Sequence, residues 1–308
     1  MEFIKNLYQD EIRDGWLVKS DMKRVWQRQL EIWQEVDRIC RKHKITYWAA
    51  YGTLLGAARH KGFIPWDEDF DLWMMRPDYN RFYDVVEEEL FQSGGLFEIA
   101  IKLPNCIKIS HSQTTLLAGE NIDKEIPKGI LLDIFPLDVG FDGTEEGFLA
   151  TNSLNEVMGT IYNYPAILKH VQDGGKTISD WGLIDMVHNL PDESQQNEFM
   201  NVFAERVFDW SSKVMWIEKI IYNRQNLPQP KSCYEETIYL PFETIELPVP
   251  IDYDKVLACC YGDWRKPVID RGGKLGFIYS TDIPYREFLQ RVDLKFMFPE
   301  LENHVPKD

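Results

Sequence analysis

The sequence is short of positive charge, of cysteine and of long apolar runs. Against 50 Asp and Glu stand only 34 Lys and Arg, a formal net charge of −16. Such a surface repels a polyanion, so nucleic acid is not expected as a large partner, although a single nucleotide bridged by a local cation is compatible with it. Cys40, Cys106, Cys233, Cys259 and Cys260 are odd in number and form no C-x-x-C pair. That spacing gives neither a disulfide framework nor a zinc knuckle. Without a long apolar run no membrane-spanning helix is expected. The opening "MEFIKNLYQDEIRDGW" mixes acids with bases and does not read as a signal peptide. A reducing cytoplasm is the expected setting.

What is present is a globular composition, 44% hydrophobic and 13% aromatic over 308 residues, without an internal repeat or a low-complexity linker. From Asp21 to Lys44, the apolar positions Met22, Val25, Trp26, Leu30, Trp33, Val36, Ile39 and Cys40 follow helical spacing. Ser20 or Asp21 is the expected cap, and "RKHK" at 41–44 suits the C-terminal turn. "ITYWAAYG" (45–52) reads as a strand ending on glycine, "TLLGAARH" (53–60) as a short helix and "FDLWMM" (70–75) as a second strand, with a helix from Pro77 to Phe91 behind it. Short strands are expected near 96–101, 106–110 and 113–118, and a stronger one at "GILLDIF" (129–135).

The stretch 143–230, rich in Asn, Gln and Glu, reads as mostly helical, for example over 191–210. After it come strands broken by prolines (237–251) and a helix (252–264). This order predicts an α/β or α+β fold, a mixed sheet with flanking helices and a helical insertion. The expected division is a catalytic core over 20–142, a helical insertion or subdomain over 143–230, and a C-terminal part completing the core over 231–308.

The chemistry concentrates in "FIPWDEDFDLWM" (63–74), where four acids fall within five positions among large apolar side chains. On a strand, Asp69 and Asp71 share one face and Phe70 and Leu72 the other. Two such carboxylates repel unless a cation lies between them. A hard ion, Mg²⁺ or Mn²⁺, is the simplest answer, since it takes one or two protein carboxylates and fills its other positions with water and phosphate oxygens. A soft metal would ask for cysteine or histidine beside the acids. A calcium loop fails on spacing: counted from Asp67, Leu72 stands where its glycine belongs and Asp78 where its glutamate belongs. An exposed acidic turn is the plain alternative.

Upstream, Tyr51-Gly52-Thr53 ends a strand and opens a helix, where glycine admits a phosphate to the helical N–H groups. Downstream, Asp133 stands between Leu132 and Ile134, a lone carboxylate in an apolar strand. This combination resembles the nucleotidyltransferase fold: a glycine-hydroxyl turn, two metal carboxylates on the next strand and a third on a neighbouring strand. The gap from Thr53 to Asp69 is slightly longer than usual for that superfamily.

"YGTLLGAARHKGFIPWDEDFDLWMMRPDYNRF" (51–82) narrows the resemblance to the LicD family, the bacterial phosphocholine transferases related to fukutin and fukutin-related protein. "LEIWQEVDRICRKHKITY", "LLDIFPLD" (131–138) and "PIDYDKVLACCYGDW" (250–264) agree with it, so the likeness covers about 20–140 and 237–267. It implies transfer of a phosphorylated small alcohol, such as choline or ribitol phosphate, from its CDP ester to a glycan hydroxyl, with CMP leaving and a divalent metal serving the reaction. It also implies Asp69 and Asp71 as metal ligands, with Asp133 completing the acidic cluster, either as a third metal ligand or as acceptor of the attacking hydroxyl's proton. The implied acceptor is a glycan, in lipid-linked form at the cytoplasmic face of a membrane, which the chain would touch only peripherally.

Arg59, Lys61 and Lys108 are candidate donor-phosphate contacts, together with Gly52 and Thr53. Helix-end complementarity is the plain role of Arg59 and Lys61, edge-strand protection that of Lys108; His60 reads as structural. Asp67 and Glu68 are supporting acids, with Asp138 and Asp263 weaker candidates. Trp48, Trp66 and Trp73 surround the predicted site. They are expected in the core, the alternative being an aromatic cage for a quaternary ammonium. Rival functions are a nucleotidyltransferase releasing pyrophosphate, a D-x-D glycosyltransferase using a sugar nucleotide and a non-catalytic binding module. The early position of Asp69-Phe70-Asp71 counts against the glycosyltransferase. Retention of three clustered acids counts against the binding module.

Overall fold

Residues 2–117, 125–140, 143–155, 157–158, 189–190, 192–210, 214–217, 229–269 and 278–291 are described by the structure, a computed structural model. A short hairpin of β1 (Glu11–Arg13) and β2 (Trp16–Val18) leads into helix α1 (Ser20–His43). The apolar stripe read from the sequence is the buried face of α1, which also encloses Lys23, Gln27 and Gln29. Its start departs from expectation. Lys19 is the cap residue, and the Ser20 N–H donates to Asp10 Oδ1 from outside the helix (2.8 Å). Its end follows expectation: Arg41, Lys42 and His43 fill the last turn, and Lys44 takes the left-handed conformation with φ 55°.

The next strand is shorter than its sequence suggests. Only β3 (Trp48–Ala49) is extended, because Tyr51 turns with φ 41° and helix α2 (Tyr51–His60) begins at once. β4 (Asp71–Met75) follows, then helix α3 (Arg76–Gln92), β5 (Phe97–Leu103), β6 (Cys106–His111) and β7 (Thr115–Leu117). β8 (Leu131–Val139) runs longer than expected and passes through Pro136. Beyond it lie a helical stretch at 145–155, helix α4 (Glu193–Trp210), β9 (Val214–Ile217) and β10 (Gln229–Pro230). The hairpin β11 (Thr237–Phe242) and β12 (Ile245–Pro250) precedes helix α5 (Tyr253–Tyr261), β13 (Ile278–Ser280) and helix α6 (Tyr285–Arg291). The fold is mixed α/β.

Among the described residues a seven-stranded sheet forms the centre. One edge of β8 pairs in parallel with β4, which pairs antiparallel with β3. The other edge of β8 is shared: Leu131–Ile134 pairs with β6, and Leu137–Val139 pairs with β9. Backbone N–H groups alternate between the two edges of a strand. The Asp133 N–H points to Phe70 of the β4 chain (3.0 Å), so position 136 faces the other edge, where the partner changes from β6 to β9. Pro136 therefore falls where its missing donor breaks no ladder bond.

Of the expected helical stretch 143–230, residues 156, 159–188, 191, 211–213 and 218–228 lie outside the described part, while β9 and β10 join the central sheet. α4 is fastened to α3, Asn80 donating to Asn201 O (2.9 Å) and Glu205 Oε2 (2.7 Å). Arg76, fully buried at the start of α3, donates to Asp138 through Nε (2.6 Å) and Nη2 (2.5 Å) and to Pro104 O (2.7 Å). Asp138 thus locks α3 to the end of β8, a structural role. No helix among the described residues is long and apolar enough to cross a membrane.

Removing one partner of the Arg76–Asp138 pair strands the other charge in the core. Arg76→Met and Asp138→Leu are each expected to lower unfolding free energy by about 3–5 kcal/mol. The double variant should recover part of the loss, because neither charge then remains. Urea unfolding of the set checks this; strictly additive losses would contradict a direct pair.

Candidate functional site

Asp71 stands opposite Asp133 in the β4–β8 ladder, and Asp133 stands opposite Lys108 in the β8–β6 ladder. Paired positions present their side chains to the same face of a sheet. Asp71, Asp133 and Lys108 therefore form one row across three strands, while Leu72, Ile107, Ile109, Leu132 and Ile134 are fully buried at the alternate positions. Lys108 Nζ is ion-paired with Asp133 Oδ2. Burial opposes the lysine charge, but the field of Asp133 outweighs it, so the Lys108 pKa is raised.

Asp69 is not on that strand. β4 starts at Asp71, and Asp69 lies exposed on the loop before it, with Asp67 and Glu68 half-buried. The loop resolves the conflict between its aromatics and its acids by separating them. Phe63 and Phe70 are buried at its two ends; Phe63 stacks on Trp26 (ring centroids 4.7 Å apart) and meets Phe242 edge-on (4.8 Å). Between these anchors Asp69 reaches the surface.

Side chains from α1 and α2 hold the acidic loop in place. Trp26 Nε1–H donates to Asp67 O (2.9 Å), and Gln29 Nε2 donates to Glu68 O (2.6 Å) and to Leu131 O (3.3 Å). One buried amide thus ties the loop to β8 two residues before Asp133. These positioning roles were missed in the sequence, although a glutamine inside an apolar helical stripe was a signal for them. The Thr53 hydroxyl oxygen accepts the Asp71 N–H (2.9 Å), and Ala50 N–H donates to Asp71 O (2.9 Å). A Cβ at Gly52 would run into Asp67 Oδ2. Glycine in the turn thus leaves room for a carboxylate of its own chain at the start of α2, a favourable end for negative charge.

The other candidate cations lie at the end of α2. Arg59 donates to Trp264 O (2.7 Å) and to His60 Nε2 (2.9 Å). Lys61 is the exposed residue ending α2, and with Lys5, Arg13, Asp14, His60, Pro65 and Glu243 it lines a separate cavity of about 390 Å³. His60 is held by Asp14 (2.6 Å). Asp263 pairs with Lys266 (2.7 Å) at the surface. Trp48 and Trp73 are core residues facing each other across β3 and β4, and Trp66 packs edge-on against Trp16 (5.8 Å) and His60 (5.9 Å). Tyr261, at the end of α5, was also missed. Desolvation raises its pKa, as do Cys260, Asp71 and Asp67, which brings α5 into the field of the acidic site.

The carboxylates are too crowded to be indifferent to one another. Asp71 is pushed well above the usual carboxylate range, first by desolvation and then by Asp69, Asp133 and Asp67, with Lys108 acting in the opposite sense. Among the described residues no three acidic, histidine or cysteine side chains are already gathered around one point as a metal-ligand set. The donors at the start of β4 nevertheless fit a hard divalent ion. They are carboxylate oxygens under mutual repulsion, and an ion of the Mg²⁺ type needs only one or two of them when water and phosphate supply the rest.

Residues 44–114 match the family model described as LicD/FKTN/FKRP, nucleotidyltransferase domain. That segment runs from the end of α1 to the start of β7 and contains Gly52, Thr53, Asp69, Asp71 and Lys108; Asp133 lies beyond it. The chain is 55% identical over 51 residues to the lipopolysaccharide cholinephosphotransferase LicD of Haemophilus influenzae, covering 17% of this chain and 19% of that protein. It is 29% identical over 120 residues to an uncharacterised protein of Rickettsia typhi, covering 36% of this chain and 35% of the relative. A further uncharacterised protein, of Rickettsia prowazekii, is 42% identical over 48 residues, 16% of this chain and 18% of the relative. The chain thus matches about a third or less of the length of each of these relatives. The segment that carries the glycine turn and the acidic loop is thus similar to the nucleotidyltransferase domain of the LicD family.

Proposed function

We propose that this protein is a divalent-metal-dependent transferase that moves a phosphorylated small alcohol, of the phosphocholine type, from a CDP-activated donor to a glycan hydroxyl and releases CMP. The observation that carries the reading is the row of Asp71, Asp133 and Lys108 beside Asp69, next to and partly within the segment related to a cholinephosphotransferase. Asp69 and Asp71 would hold Mg²⁺ or Mn²⁺, which supplies positive charge to the donor's phosphate oxygens. Gly52, Thr53, Trp26 and Gln29 keep the acidic loop in position. Asp133 accepts a hydrogen bond from the acceptor hydroxyl and orients it toward phosphorus. Lys108 contributes a fixed positive charge at the same face. Positioning and charge neutralisation carry most of phosphoryl transfer, so this set needs no covalent intermediate.

The acceptor is proposed to be a bacterial surface glycan, lipid-linked and met at the cytoplasmic face of a membrane. Residues 143–230 are proposed to hold its determinants, because the family-like segments already account for donor and metal. Substitutions there should raise the acceptor KM and leave donor binding unchanged; the reverse pattern would contradict this assignment.

Thermal shift with CDP-choline, CDP-ribitol, CDP-glycerol, CTP and UDP-sugars, each with Mg²⁺ or Mn²⁺, tests the reading of the donor. A CDP ester should stabilise the protein in a metal-dependent way, and a response to UDP-sugars alone would overturn the proposal. Asp69→Asn and Asp71→Asn should each abolish transfer while leaving the metal-free protein as stable as the parent or slightly more so, since one repelling carboxylate is gone. Near-normal turnover of either variant with Mg²⁺ would remove that residue from the metal site. Asp133→Asn is expected to lower kcat by about 10²–10⁴ and largely spare donor binding, whereas Asp71→Asn weakens both. Unchanged kcat would remove Asp133 from the site.

A further inference from the structure

We infer that Lys108 withholds Asp133 from the metal, so that the acidic site takes one divalent ion, on the Asp69–Asp71 side, and leaves Asp133 to the acceptor. The inference rests on the metal-dependent reading above and specifies how that site is divided.

Three carboxylates around a phosphoryl-transfer site suit two arrangements. In one, a pair of metal ions about 3.5–4 Å apart shares the acids between them. In the other, a single ion takes two of the acids and the third serves another purpose. The side chain opposite Asp133 distinguishes them. Lys108 is fixed there by the β6–β8 register, and its flanking residues Ile107 and Ile109 are fully buried at the alternate positions. Its ammonium reaches Asp133 Oδ2 directly.

The side chains of Lys108 and Asp133 are 30% and 18% exposed, so water screens the ammonium only in part. A second divalent ion bridging Asp71 and Asp133 would be held against this positive charge, with little solvent between them. It would also have to compete with Lys108 for the carboxylate. Asp69, by contrast, is exposed on the loop before β4 and lies off this row.

The division gives Asp133 a defined character. A carboxylate held by an ammonium retains lone pairs for a hydroxyl. It is suited to orienting the acceptor hydroxyl and receiving its proton late. That demand is modest when the transition state is loose.

The number of bound ions decides the matter without any substrate. Metal-free full-length protein is titrated with Mn²⁺, and free ion is followed by electron paramagnetic resonance. The parent should bind one Mn²⁺ tightly per chain, and Asp71→Asn should lose it. Lys108→Met should bind two, the second on the released Asp133, while Lys108→Arg, which keeps the charge, should bind one. Two tight ions in the parent, or one in Lys108→Met, would overturn the inference while leaving a metal site in place. No tight ion in the parent would mean instead that the metal reading itself fails. If Lys108→Met does not fold, Lys108→Gln provides the uncharged variant, and the count in the parent remains decisive.

Discussion

Crowded negative charge at the start of β4 is the constraint to which the surrounding structure answers. A carboxylate at position 71 sits at the start of an inner strand of an apolar sheet, and desolvation together with Asp69, Asp133 and Asp67 raises its pKa. Each neighbouring element makes that arrangement possible in its own way. α1 supplies two side-chain donors that fix the carbonyls of the acidic loop. α2 supplies a hydroxyl for the Asp71 N–H and a residue without a side chain where Asp67 must fit. β8 supplies the third carboxylate, and β6 supplies the ammonium that balances it. The aromatic layer of Trp26, Phe63, Phe70 and Phe242 carries the loop without admitting its charges to the core.

Legibility in the sequence followed the kind of interaction involved. Where a pattern repeats within one element, the reading held: the apolar stripe of α1 is its buried face, and Arg41 to His43 close the helix at its negative end. Alternation within "LLDIF" likewise put Asp133 on the face opposite its buried neighbours Leu132 and Ile134. Tertiary partners were harder to see. Lys108 between two isoleucines calls for an anion, and within the protein a carboxylate of the next strand, Asp133, supplies one. The sequence does not show that the open side of Gly52 faces the Asp67 carboxylate.

The same limit explains the strand boundaries. Asp69 alternates properly with Asp71 in the sequence, yet the pairing with β8 begins only at position 71 and that with β3 at position 72. Alternation records which side chains would share a face if the chain were extended; it does not record whether a partner strand reaches that far. Trp26 and Gln29 act on the acidic loop from positions 41 and 39 residues away. No local spacing rule carries such a contact. The unusual feature available beforehand was a buried glutamine in a helical stripe that otherwise asked for an apolar residue.

The central claim is the identity of the bond that is cleaved, and the products report it directly. The protein, Mn²⁺ or Mg²⁺, CDP-choline carrying a labelled choline and a lipid-linked glycan acceptor are incubated together, and the nucleotide product is separated from the glycan. The account predicts CMP formed in step with label appearing on the glycan, both lost in Asp71→Asn. Pyrophosphate released from a nucleoside triphosphate, with the nucleotide itself on the acceptor and no CMP from CDP-choline, would contradict it.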